Sequence, residues 1–169
     1  MLPSDHFVKF YNEIFKYLER KGPEELDRYY RRVADRQAFF TLDAFKRDGL
    51  KGMYDYWERI RIEENCDMDL VLADGCLELK MNVCPSLSKV IDNDAGPCRV
   101  YCDHCPGWVG RVLAEAGHFM VYDIMSRTQP VCDMFIFEDR SRAEAKRDEL
   151  LALRGDDLVR TNFDLMEES

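Results

Sequence analysis

The sequence predicts an α+β fold, with N-terminal helices packed on an antiparallel sheet made of two hairpins with an intervening helix. Three observations carry this prediction. Apolar residues recur at helical spacing through the first part of the chain, as in Phe7, Phe10, Tyr11, Ile14, Phe15 and Leu18. From Asp67 the period changes to two. Asp74-Gly75 then interrupts that alternation with a strong hairpin-turn signal. A chain of 169 residues, 46% hydrophobic and 34% charged, has the composition of one globular domain over 1–169. Within it, 1–65 reads as the helical part and 66–153 as hairpin, helix, hairpin and helix. Residues 154–169 read as an acidic tail.

The elements follow in order. Ser4 is placed to cap the first helix, which Lys21-Gly22-Pro23 stops. Pro23 opens a second helix through Leu26, Tyr29, Tyr30 and Val33. A third amphipathic stretch runs from Leu42 to Ile62, broken near Gly49 to Gly52, with Tyr54, Tyr56 and Trp57 as packing residues. Met68, Leu70 and Leu72 alternate along the first strand, and Leu77, Leu79, Met81 and Val83 along the second. Cys84 falls on the polar face at the strand end, where Pro85 ends the pairing. A short helix, Ser86 to Ile91, leads into the loop Asp92 to Pro97. After the cysteine-rich segment, a helix through Val109, Val112, Leu113 and Ala116 ends at Gly117. Two strand-like runs, His118 to Met125 and Val131 to Glu138, form the second hairpin, and a charged helix follows from Ser141 to Leu153.

Charge narrows the partners. A net charge of −9 argues against a phosphate-tracking surface, so nucleic acid is not an expected partner. The first residues show no apolar signal segment, and no run approaches the ~18 apolar residues of a membrane span. The expected location is the cytoplasm, where the seven cysteines stay mostly reduced. The expected partner is a small molecule. The aromatic-rich N-terminal helices also offer a surface for a second copy of the chain.

The chemistry concentrates in Cys98-Arg-Val-Tyr-Cys102-Asp103-His104-Cys105. Positions 98, 102, 105, 109, 112 and 116 form a helical series, so one reading simply continues an apolar stripe into the core. Pro97 and Pro106 disfavour helix at the residues before them. Asp103 is the better N-cap, with Pro106 tolerated in the first turn. This puts Cys98 to Cys102 in a loop and Cys105 at the positive end of the helix dipole, where a thiol should be acidified. Two chemistries then compete. Cys98, Cys102, Asp103 and His104 can supply nucleophile, orienter and base. Cys84, Cys98, Cys102 and Cys105 can instead hold a metal, with zinc the first candidate and an iron–sulfur cluster the second. Cys-x3-Cys-x2-Cys is also a radical-SAM spacing, but such motifs come early in a large barrel. Asp123 and Arg127 on the second hairpin either meet a substrate carboxylate or pair at the surface. His118 at a strand start reads as structural and His6 as a surface residue.

The run Cys84-Pro85, Cys98-x3-Cys102-Asp103, Arg127-Thr128 and Cys132-Asp133-x-Phe135-x-Phe137 resembles the L-2-amino-thiazoline-4-carboxylic acid hydrolase-like family. The likeness spans Cys84 to Phe137. It departs from the common pattern at His104-Cys105-Pro-Gly-Trp108, at Met134 and at Pro130-Val131. The resemblance implies hydrolytic opening of a small sulfur-containing heterocycle, with Arg127 and Cys132 as substrate-binding residues. The expectation is therefore a hydrolase-like enzyme acting on a C–N or C–S bond of a small polar molecule. Either a cysteine thiolate with His104 as base or a thiolate-bound zinc would drive it. The alternative is a non-enzymatic module that binds zinc, an iron–sulfur cluster or a small ligand.

Overall fold

The turn at Asp74-Gly75 organises the sheet. In the computed structural model, which describes residues 3–92 and 96–167, both turn residues have positive φ, 50° and 68°. That is the twist a two-residue hairpin needs. It joins β1 (Asp67–Ala73) to β2 (Cys76–Val83) in antiparallel register. The second hairpin pairs β3 (Phe119–Asp123) with β4 (Cys132–Phe137), and β4 docks antiparallel on β2. A fifth strand, β5 (Val159–Thr161), adds to the outer edge of β3. The sheet order is β1-β2-β4-β3-β5.

Alternation gives the sheet two apolar faces. Leu77, Leu79, Met120, Tyr122, Met134 and Ile136 face the main core, beneath α2 (Pro23–Glu63) and α4 (His104–Glu115). Val121, Phe135 and Phe137 face α5 (Arg140–Arg154), which packs through Ala143 and Leu150. A smaller core of Phe15, Leu26, Tyr30, Leu87 and Tyr101 lies under α1 (Pro3–Lys21), beside α3 (Pro85–Asp92).

Three expectations change. α1 begins at Pro3, so Ser4 lies inside its first turn rather than before it. The second and third helical stretches are one element, α2, interrupted only at Gly49. Gly49 has φ 56° and ψ −139°, a conformation that L side chains avoid, so glycine permits the bend. Of the loop after α3, Asn93 to Ala95 lie outside the described residues. The acidic tail is a folded edge of the domain. It supplies β5 and α6 (Phe163–Glu167), and buries Val159, Asn162 and Phe163. Asn162 fixes it in place by donating to the carbonyls of Gly110 (3.1 Å) and His118 (2.9 Å) and accepting from the Met120 amide (2.8 Å). Gly117, at φ 82°, closes α4 with the paired end bonds His118 N–H to Leu113 and Gly117 N–H to Ala114. Phe7, Phe10, Phe39 and Phe40 stand exposed on α1 and α2. Among the described residues no helix is long and apolar enough to cross a membrane.

Candidate active site: a thiol-lined cavity

Three chain segments meet at one end of the sheet. Cys84 follows β2 and caps α3, its Sγ accepting from the Leu87 amide at 3.4 Å. Its own amide donates to the Pro130 carbonyl at 2.6 Å, tying the start of α3 to the second hairpin. Cys132 opens β4, and Tyr122 projects from β3 on the same face; the Tyr122 hydroxyl donates to Cys132 Sγ at 3.1 Å. The third segment is a 3-10 turn, Tyr101–Asp103, that runs directly into α4. Cys84, Cys102, His104, Cys105, Tyr122 and Cys132 line a cavity of about 20 Å³. That is room for one water, not for a ring.

The sharpest geometry in the cavity is a thiol–imidazole pair. Cys105 Sγ lies 3.2 Å from His104 Nε2. His104 Nδ1 bonds the Tyr101 carbonyl. A carbonyl only accepts, so Nδ1 carries the proton and Nε2 is left bare to accept from the thiol. Phe15, Tyr101 and Trp108 pack around the imidazole, with Phe15 stacked at 5.3 Å between ring centroids. The ring is thereby fixed both by a hydrogen bond and by its aromatic walls.

Burial sets the charge states. It pushes the Cys105 thiol up to about 11 and drops His104 to about 4, so the resting pair is neutral. Cys102 is pushed up to about 12 by burial and then by the neighbouring Cys105 and Cys84. Burial likewise raises Cys84 and Cys132. The expected acidification of Cys105 is thus reversed. A helix N-terminus returns about 0.3–1 kcal/mol to a thiolate. Burial costs this one on the order of 3 kcal/mol.

The other predicted residues have different tasks. Cys98 does not line the cavity. Its Sγ donates to Glu19 Oε2 at 3.2 Å, and its amide donates to Asn12 Oδ1 at 2.8 Å. Burial also raises this thiol, to about 11. Asp103 precedes α4 but makes no side-chain cap. Its carboxylate turns to two arginines instead: Arg127 Nη1 on Oδ2 and Arg160 Nε on Oδ1, both at 2.8 Å. Arg127 also donates to Asp157 Oδ2 (3.2 Å) and to the carbonyls of Arg99 (3.2 Å) and Asp157 (2.8 Å). It pins the turn that carries the cysteines, and its donors are spent on the protein. Asp123 does not meet Arg127. It is buried, accepts from the Met125 amide and pairs with Arg154 at 3.1 Å. His118 is nearly buried and its Nδ1 contacts the Ala116 carbonyl at 3.0 Å.

Sequence reasoning missed Asn12, Tyr122 and Arg160. Asn12 left a signal, as a polar residue on the apolar stripe of α1 between Val8 and Phe15. Arg160 left none, because nothing local ties it to Asp103. Among the described residues, no group of three or more His, Cys, Asp or Glu side chains is arranged to hold a metal ion.

Fold and site together define an α+β domain with a neutral Cys–His pair in a thiol-lined cavity. Comparison with known protein families, curated proteins and solved structures finds no match to the chain.

Proposed function

We propose that the protein is a small thiol hydrolase acting on a C–N or C–S bond of a small polar, sulfur-containing heterocycle. Cys105 is the nucleophile and His104 its base. One observation carries the reading: Cys105 Sγ lies 3.2 Å from a bare imidazole nitrogen whose opposite nitrogen is held by a backbone carbonyl. Nucleophile, base and orienter are thereby in contact. The substrate class rests on the resemblance of the chain's motifs to the thiazoline hydrolase-like family.

In this mechanism the Cys105 proton passes to His104 Nε2 as sulfur bonds to the electrophilic ring carbon. The Tyr122 hydroxyl, which lines the cavity and rests on Cys132 Sγ, is a neutral donor that can turn to the charge that develops. The ring C–S bond then breaks, and the leaving sulfur takes the proton from His104. Water, deprotonated by His104, attacks the same carbon and releases Cys105, which recovers its proton. The cavity takes the reacting atom, and the ring lies at the mouth beside Leu87 and Val131. Asp103 and Arg127 act only by holding the turn. The free thiols fit work in the reducing cytoplasm.

The test is incubation with 2-amino-thiazoline-4-carboxylate, read as thiol release. Cys105→Ala and His104→Ala should each lower turnover by about 10²-fold or more. Cys98→Ala should stay within about twofold, because Cys98 is outside the cavity. Full turnover in Cys105→Ala would overturn the assignment. A second reading takes the four cavity thiols, Cys84, Cys102, Cys105 and Cys132, as a zinc donor set, with Cys132 in the place expected for Cys98. Stoichiometric zinc in fresh protein, with a chelator-induced fall in Tm, would favour that metal module; visible colour would point to an iron–sulfur cluster. A metal-free protein with a Tm unmoved by chelator supports the enzyme.

A further inference from the structure

Cys102-Asp103-His104-Cys105 is a Cys-x-x-Cys turn, and the hydrolytic mechanism leaves Cys102 without a chemical task, its side chain packed against both the main core and the smaller core under α1. Cys102 lies in the 3-10 turn and Cys105 in the first turn of α4, and both line the same cavity. All seven cysteines are free thiols. Residues three apart in a helical turn have Cβ atoms about 5–6 Å apart, and a disulfide needs about 3.5–4.5 Å. Closing the gap takes about 1–2 Å, which a short 3-10 segment can absorb. Between the two cysteines, Asp103 is clamped outward by Arg127 and Arg160. The clamp keeps the turn anchored while the two sulfurs approach on its inner side.

We propose that Cys102 and Cys105 form a reversible dithiol–disulfide pair, oxidised by hydrogen peroxide. The cavity sets the class of oxidant. At about 20 Å³ it takes an oxidant of close to water size inside, whereas larger thiols and disulfides meet the sulfurs only at the mouth beside Leu87 and Val131. In the first step His104 Nε2 takes the Cys105 proton, and the sulfur attacks one peroxide oxygen. The O–O bond breaks, and the departing hydroxide collects the proton from His104 and leaves as water. Cys105 is now a sulfenic acid, oxidised by two electrons. Cys102 sulfur then attacks Cys105 sulfur, the S–O bond breaks, and the Cys102 proton leaves with that oxygen as a second water. Two thiols and one peroxide thus give one disulfide and two waters. A small dithiol reverses the reaction by exchange and is itself oxidised.

The inference rests on the same Cys105–His104 pair as the hydrolytic reading, but its test needs no turnover. Reduced full-length protein is treated with hydrogen peroxide, blocked with an alkylating agent and digested with trypsin. The peptide Val100–Arg111 contains Cys102 and Cys105 and no other cysteine. Expected is a loss of about 2 Da in that peptide, with both residues protected from alkylation and the change reversed by dithiothreitol. Cys102→Ser should instead strand the sulfenic acid, read as a dimedone adduct on Cys105. A disulfide mapped to Cys84 or Cys132, or a peptide oxidised only to sulfinic acid, would overturn the pairing. No adduct in Cys102→Ser would overturn Cys105 as the attacking thiol. If the disulfide forms and thiazoline is never opened, the hydrolytic reading fails alone. If thiazoline is opened and peroxide leaves the peptide unchanged, the redox inference fails alone.

Discussion

Replacing Asp103 with alanine removes the carboxylate that holds two arginines against the cysteine-bearing turn. Asp103 is 16% exposed, Arg127 18% and Arg160 33%, so neither pair is a free surface bridge. Hydrogen bonds to charged groups contribute about 1.5–3 kcal/mol each. Both arginines keep other acceptors: Arg127 keeps Asp157 and two carbonyls, and Arg160 keeps the carbonyls of Asp156 and Val159. The stranded charges are therefore partly satisfied, and the expected loss lies at the low end, about 3 kcal/mol for the two contacts together. At about 2–4 °C per kcal/mol for a chain of this size, Tm should fall by about 6–12 °C. Asp103→Asn keeps an acceptor and should lose about half as much. The assay is thermal melting followed by circular dichroism, with turnover measured at a temperature where each variant is folded. An Asp103→Ala protein that melts like the wild type yet has lost turnover would refute the positioning role and return Asp103 to the chemistry.

Acid should destabilise the fold through His104. Its folded value is lowered to about 4 by burial, so the unfolded state binds the extra proton between about pH 6.5 and 4. Stability is fully present above that window and declines by about 3 kcal/mol through it, a loss that His104→Gln should reduce in urea titrations at pH 7 and pH 4. Equal pH slopes for wild type and variant would count against a buried neutral imidazole. Gly49→Ala should cost about 1–3 kcal/mol, because its positive φ is closed to a side chain, while the helical signal stays unchanged. A neutral Gly49→Ala melt would mean that the bend in α2 is not fixed by glycine.

Local chemistry was legible and distant pairing was not. Asp74-Gly75, Gly49 and Gly117 announced a turn, a break and a helix end, because each position needs a backbone that few residues adopt. The alternating leucines gave the first hairpin, and the strand-like runs His118 to Met125 and Val131 to Glu138 gave β3 and β4. β5 escaped because three residues are too few to display a period, and the surrounding acids disguised Val159 and Phe163. Asp103 does mark the start of α4, but its side chain does not cap it. Its capping propensity is a property of neighbours in sequence, and its actual partners lie 24 and 57 residues further on. Cys98 shows the limit of spacing as evidence. It is four residues from Cys102, but Asn12 and Glu19 on α1 draw its amide and thiol to the other side of the turn. Cys105 shows the limit of the dipole argument, because burial cannot be read from a motif.

The clamp on Asp103 also has a timetable. Chains are made from the N-terminus at about 5–20 residues per second. Arg160 is made 57 residues after Asp103, a delay of about 3–11 s at that pace. Through that interval the thiol-bearing turn can be complete in sequence and still lack its second anchor, the β5 edge of the sheet and the Asn162 latch on α4. The nascent chain therefore carries its cysteines before it carries the residues that hold them in place. A ribosome stalled short of Val159 would present those thiols loosely held, where chaperones and proteases can reach them.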